Sequence, residues 1–374
     1  MHLYVHVPFC RRRCSYCDFA IAVRRRVPAE RFVDTVLAER DLRAGPEGWT
    51  GTAFETVYLG GGTPSLLPVD ALARLLDGFA RAPGPEVTLE ANPEDVTPDA
   101  ARRWREAGVT RVSLGVQSFH PAVLTWMHRP HGAEAPARAV GYLRDGGPAQ
   151  VSVDLIFALP DELAQDLARD VDSALALAPD HVSAYGLTLE PRTPYARWAA
   201  RREATPAPDD RYTGEFLLVH DRLTAAGFDH YEVSNYARAT GDRSRRARHN
   251  SAYWSGRPYV GLGPAAHGFR DGVRRWNERS LTAWERAVRR GDDPIAGREV
   301  LTPEQRRLEA TYLGLRASDG VVPEIASTLN PRATLAAVTA GWLTTADGWL
   351  RATPRGWLVL DELARVLTTF PESG

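Results

Sequence analysis

The chain has 374 residues, enough for one large core and an appended small domain, with the 44% apolar and 25% charged content of an ordinary soluble globular protein. No apolar run reaches the length of a membrane span, and a formal net charge of −1 gives no overall pull toward nucleic acid or acidic membranes. All 46 basic residues are arginine, which excludes Schiff-base chemistry and a Walker-type phosphate loop, since both need a lysine amine.

Short β-branched or aromatic runs alternate with helical patterns from the start of the chain. Strands are predicted at 3–7, 55–59, 86–90, 111–116, 151–157 and 181–187, with helices at 31–42, 69–79, 99–106, 135–143 and 163–177 between them. This order predicts an α/β fold, an incomplete (β/α)6 barrel of parallel strands. In such sheets function gathers at the carboxyl ends of the strands.

The first of those ends holds every cysteine of the chain, Cys10, Cys14 and Cys17, spaced CxxxCxxC. One short loop can turn three thiolates toward a single centre, an iron-sulfur cluster or zinc. An odd count without a signal peptide argues against a disulfide framework. Zinc needs a fourth ligand, for which His6 and Asp18 are the nearby candidates.

The other strand ends are also polar or glycine-rich. After 55–59 comes Gly60-Gly61-Gly62-Thr63-Pro64-Ser65, whose glycines permit positive φ and close backbone approach to a ligand. Glu90 ends the third strand, where a carboxylate can accept hydrogen bonds from ribose hydroxyls. Gln117 ends the fourth, Arg129 follows with a fork suited to a carboxylate, and Asp154 lies on the fifth. Alone, each is more often a cap or a surface residue; the recurrence along one rim is what marks a site.

The block from Tyr4 to Phe19, with HVPFC and YCDF around the cysteines, resembles the cluster motif of radical S-adenosylmethionine (SAM) enzymes, in the group related to oxygen-independent coproporphyrinogen oxidase. The resemblance implies a 4Fe-4S cluster on Cys10, Cys14 and Cys17, with its open iron chelated by SAM. It further implies SAM contacts at Tyr4, Gly61, Gly62, Thr63, Glu90, Gln117, Arg129 and Asp154. The oxidase subgroup carries a fourth cysteine two residues after the third; here that position is Phe19.

Beyond 208 a helical pattern at 209–226 precedes an edge strand near 231–237. An arginine run, Arg243 to Arg248, then leads into His249-Asn-Ser-Ala-Tyr253-Trp254. Beside aromatics such a run is compatible with single-stranded nucleic acid, but a solvated loop is the simpler reading, and no nucleic-acid partner is expected. An exposed imidazole beside Tyr and Trp, with arginines close by, has the chemistry for haem: a nitrogen for iron, aromatic faces for the macrocycle, guanidinium for the propionates. HNxxYW and the following Tyr259 to Gly268 resemble the radical SAM haem chaperones, which implies His249 as a haem-binding residue. Helices at 303–315, 322–328 and 332–340, a hairpin at 342–350 and a last helix at 358–367 predict a winged-helix-like module of mixed charge.

The expected organisation is a barrel core at 1–230, an accessory α+β segment at 231–295 and the C-terminal module at 296–374. The expected function is that of a cytoplasmic haem chaperone carrying a 4Fe-4S cluster and SAM. Its partners would be haem, acceptor haemoproteins that include membrane-bound ones, and a second copy of the chain through the C-terminal module. The alternative is an oxygen-independent coproporphyrinogen III dehydrogenase or another radical SAM enzyme.

Overall fold

The computed structural model describes residues 1–240 and 245–369. The six parallel strands of its barrel are β1 (His2–Val7), β2 (Phe54–Gly61), β3 (Arg81–Ala91), β4 (Arg111–Gln117), β5 (Gln150–Phe157) and β6 (His181–Gly186). Each pairs in parallel with the next. Helices α1 (Ala29–Ala44), α2 (Val69–Asp77), α3 (Pro98–Glu106), α4 (Ala135–Gly146) and α5 (Leu167–Ala176) connect them. They form at the predicted places for local reasons. In α2 the buried face is Ala71, Leu72, Leu75 and Leu76, a helical repeat. At α3 the Thr97 side chain accepts from the Ala100 amide while Pro98 opens the first turn. The strands carry Leu3, Val5, Val57, Leu59, Val87, Leu89, Val112, Leu114, Val151 and Val153, all buried and all at alternating positions in register, so they share one face of the sheet.

The half-barrel is the middle of a longer sheet. A helix, α6 (Asp209–Ala225), leads into β7 (Phe228–Glu232) and β8 (Asn235–Arg238), an antiparallel hairpin whose second strand pairs with β6. The expected single edge strand at 231–237 is therefore two strands: Val233 and Ser234 form the turn, and the Glu232 carboxylate accepts from the Ser234 amide at 3.1 Å. After α7 (Arg248–Trp254), β9 (Tyr259–Leu262) inserts parallel to β1 on its free side. From it β10 (His267–Arg270), β11 (Val273–Asn277) and, after α8 (Leu281–Arg289), β12 (Ile295–Val300) continue antiparallel. The sheet order is β12-β11-β10-β9-β1-β2-β3-β4-β5-β6-β8-β7. Boundaries at 230/231 and 295/296 thus fall inside β7 and β12, and the accessory segment shares the barrel's sheet.

A buried carboxylate fastens that extension. Glu39 of α1 accepts from Arg43 at 2.5 Å, the Gly263 amide at 2.9 Å, Asn277 at 2.6 Å and the Trp284 indole at 2.8 Å. These four donors satisfy both oxygens of the buried side chain.

The C-terminal module opens with a capping box, Thr302 with Gln305, on α9 (Pro303–Arg316). A turn at Pro323–Ala326, α10 (Pro331–Thr339), the hairpin β13 (Leu343–Ala346) and β14 (Trp349–Ala352), and α11 (Leu360–Thr368) complete it. Its own core holds Leu315, Val321, Leu343, Leu350, Leu363 and Leu367. It docks on the edge hairpin through Arg316 and Glu232, 3.1 Å apart, and through Trp357 against His230. Among the described residues no helix is long and apolar enough to cross a membrane.

Candidate cofactor and ligand site

The cysteine loop leaves β1 at the barrel rim and is closed by a two-residue parallel pairing of Phe9–Cys10 with Ala22–Val23. The Ser15 amide donates to Met127 O at 3.3 Å, and Ser15 O accepts from the Tyr195 amide at 2.9 Å. All three cysteines are free; Cys10 is buried, and Cys14 and Cys17 are half-buried. Burial pushes the Cys10 thiol up to about 11, against the hydrogen bond from Thr63 at 3.5 Å, and raises Cys17 as well. Ligation would therefore release protons here, with the Arg129 guanidinium 3.7 Å from the Cys14 sulfur to offset the charge.

The donor set suits a multi-iron centre. Three thiols on one short loop match a cube-type cluster, which takes one sulfur per iron at separate corners. The fourth ligands that zinc would need are also engaged. His6 shares hydrogen bonds with Ala20 O at 2.8 Å and the Tyr4 hydroxyl at 3.1 Å. Asp18 pairs with Arg192 at 3.0 Å and Arg279 at 3.5 Å.

Beside the cysteines lies a cavity of about 610 Å³, within the range of small-molecule sites. Cys10, Cys14, Cys17, Gly61, Gly62, Thr63, Glu90, Gln117, Arg129 and Asp154 all line it. Tyr4 does not; it lines the neighbouring cavity, stacked against Tyr58 at 6.1 Å. The glycine loop answers to a different close approach from the expected one. A Cβ on Gly62 would come within 2.7 Å of Phe9 O, and one on Gly61 (φ +112°) within 2.6 Å of the His6 ring. The glycines thus let this loop press against the cysteine loop.

Burial pushes the Glu90 carboxyl up to about 7, despite hydrogen bonds from the Tyr58 hydroxyl at 2.8 Å and the Gly61 amide at 3.0 Å. Asp154 rises to about 6 for the same reason, although Ser113 donates to it at 3.0 Å. Gln117 takes a left-handed conformation, φ 69°, at a bulge in the pairing of β4 with β5. Gly115 makes room for it: a Cβ there would meet both the Gln117 amide and Arg129 at 2.9 Å. Arg129 lines the cavity with its guanidinium beside the cysteine loop. It donates to Asn92 at 2.7 Å and to Gly115 O, leaving its Nε buried without a partner. Such an orphaned donor fits a cavity that awaits an anionic group. Asn92, Ser113 and Gly115 were not singled out from the sequence, although Asn92 follows Glu90 by two residues.

His249 corrects an expectation: the imidazole is buried, 1% exposed. It meets Thr56 Oγ1 at 2.6 Å through Nδ1 and the Tyr253 hydroxyl at 2.7 Å through Nε2, and lies against the Tyr58 ring at 5.1 Å. Burial holds its pKa down at about 3. Neither nitrogen is available to a ligand in this arrangement.

Its helix neighbours Tyr253 and Trp254 do face a ligand-sized space, a second cavity of about 830 Å³. Strands β9 to β11 and helix α9 supply the remaining walls, with Tyr259, His267, Phe269, Arg274, Arg306 and Leu313 among the lining residues. Asp18, Phe19, Gly61 and Glu90 line both cavities. The arginine run lies elsewhere: Arg245 pairs with Asp180 at 3.4 Å, Arg246 with Asp229 at 2.6 Å, and Arg248 donates to Gly84 O at 2.8 Å. Arg243 and Ser244 fall outside the described residues.

A parallel half-barrel whose first strand feeds a three-cysteine loop defines the radical SAM class, and the profile of the Radical SAM superfamily matches residues 4–174. The chain is 38% identical over 373 residues to heme chaperone HemW of Mycobacterium tuberculosis, covering 98% of this chain and 94% of that protein. It is 34% identical over 388 residues to heme chaperone HemW of Escherichia coli, covering 97% of each. The structure of coproporphyrinogen III oxidase (HemN) from Escherichia coli superposes with a TM-score of 0.80 at 20% identity, over 99% of this chain and 90% of that one, and shows the same fold. The chain belongs to the HemW heme chaperone family within the radical SAM superfamily.

Proposed function

We propose that this protein is a cytoplasmic haem chaperone that binds haem and passes it to acceptor haemoproteins, membrane-bound ones included. The observation that carries the reading is similarity to the HemW relatives along nearly the whole chain. Cys10, Cys14 and Cys17 would hold a 4Fe-4S cluster, and the smaller cavity would hold SAM. Together these would supply the redox chemistry that governs haem assembly or transfer.

Within that reading the chain's residues divide the work. Thr63 and Arg129 stabilise the sulfurs by hydrogen bonds. Glu90, Gln117 and Asp154 offer polar groups to the sugar and amino-acid portions of SAM, and the Arg129 Nε remains for an anionic oxygen. Tyr4 acts one step back, through Tyr58 and His6. His249 contributes to haem binding by holding Tyr253 in the wall of the larger cavity. The C-terminal module offers a surface for acceptors or for a second copy of the chain.

Anaerobic reconstitution should yield about four irons per chain, and the haem-loaded protein should transfer its Soret signal to an apo-haemoprotein. Bound zinc without sulfide, or sustained conversion of coproporphyrinogen III to protoporphyrinogen IX with SAM and a reductant, would overturn the proposal.

A further inference from the structure

Haem iron needs a nitrogen that a neighbouring side chain has not already taken, and the cleft of about 830 Å³ contains one. We propose that His267, at the start of β10, is the iron ligand in that cleft, and that His249 is a positioning residue behind its wall. The inference rests on the haem-chaperone reading and assigns its ligand site.

His267 is exposed and lines the cleft, with its ring set parallel to Trp276 at 6.0 Å and 25°. Neither of its nitrogens has a hydrogen-bond partner among the described residues. His6, the other imidazole lining the cleft, is occupied by Ala20 O and Tyr4, and His249 behind the wall by Thr56 and Tyr253. An imidazole that must ligate iron keeps one nitrogen bare.

The rest of the cleft suits a flat dianion. Tyr253, Trp254 and Phe269 present aromatic surface to a macrocycle. The Tyr253 ring is held edge-on to His249 at 4.8 Å, one helical turn away, so the buried histidine fixes a wall rather than meeting the iron. Arginine surrounds the opening. Arg274 is shared between Glu299 and Glu309, and Arg279 is committed to Asp18, whereas Arg306 has no ion-pair partner among the described residues. A propionate meeting Arg306 would form a charge-assisted, two-pronged contact. The size, toward the upper end of about 300–1,000 Å³ for small-molecule sites, leaves room for a tetrapyrrole.

The test is an anaerobic titration of the full chain with ferric haem, followed by absorbance and electron paramagnetic resonance. Wild type would be compared with His267→Ala, His249→Gln and Arg306→Gln. His267→Ala is expected to weaken binding by about tenfold or more and to change the axial-ligand spectrum, with added imidazole restoring it. Arg306→Gln and His249→Gln should lower affinity while leaving that spectrum in place. Since His267 is exposed, its replacement should leave the circular dichroism spectrum intact, and imidazole rescue separates ligand loss from misfolding. Wild-type affinity and spectrum in His267→Ala, or a ligand change confined to His249→Gln, would overturn this assignment alone. Absence of saturable haem binding in wild type would overturn the chaperone reading with it.

Discussion

Glu90 and Asp154 are carboxyls that the fold makes weak acids, and the sign of their effect follows from linkage. In the unfolded chain they titrate near 4.5 and 3.8; in the cavity burial moves them to about 7 and about 6. Between those limits the folded protein holds protons that the unfolded chain gives up, so their contribution is full in acid and lost as pH rises through 6 to 7. The cofactor-free protein is therefore expected to lose stability from about pH 4 to about pH 7. Glu90→Gln should flatten that loss by on the order of 2–3 kcal/mol, as read from urea unfolding at a series of pH values. The carboxyls themselves were legible in the sequence because Glu90 ends a predicted strand and Asp154 lies on one. Their weakness was not, since it depends on what the barrel closes around them. His249 shows the same limit. Its aromatic neighbours are adjacent in sequence and suggested an open ligand site, but Thr56 and Glu86, which bury it, lie 193 and 163 positions away.

At the scale of elements, the six parallel strands and their helices could be read from periodicity because each is a local pattern. Pairing across the chain could not. β9 gives no sign in Tyr259-Val-Gly-Leu that it will lie beside β1, 257 positions from His2 to Tyr259 in register. The glycine loop illustrates a partial reading: its residues stood out, while the surface that demands them did not. In Gly62→Ala the new methyl would collide with the backbone of Pro8 and Phe9, which cannot swing aside as a side chain would. The loops should separate, costing about 1–3 kcal/mol and lowering the iron bound per chain. Iron and sulfide analysis beside thermal unfolding checks both effects; an alanine variant with full iron content would show that the contact is dispensable.

Across the whole molecule, the larger cavity is a joint product of barrel and C-terminal module. Helix α9 brings Arg306, Glu309 and Leu313 to its wall, while Arg316 covers the Trp254 ring at 4.2 Å and pairs with the fully buried Glu232. The sequence showed three helices and a wing but not the surface they dock on, because docking depends on scattered ion pairs, Arg316 with Glu232, Arg274 with Glu309 and Arg246 with Asp319, and on ring contacts rather than on a repeat. Arg316→Ala should leave Glu232 without its partner and loosen the module by about 3–5 kcal/mol. Unfolding is expected to separate into two transitions, with faster proteolysis near 300–303 and weaker haem affinity. A single unshifted transition would assign the docking to the apolar contacts and the remaining ion pairs.

Asp18, Phe19, Gly61 and Glu90 form a party wall, each with a face in both chambers. Phe19, 62% exposed, is the bulkiest of them. A guest on one side that shifts this partition alters the room on the other, and reciprocity requires the influence to be equal in both directions. If SAM tightens the hold on haem by some factor, haem tightens the hold on SAM by that same factor. The order of loading then cannot change the final occupancy, and loss of the nucleoside guest becomes a signal for releasing the cargo.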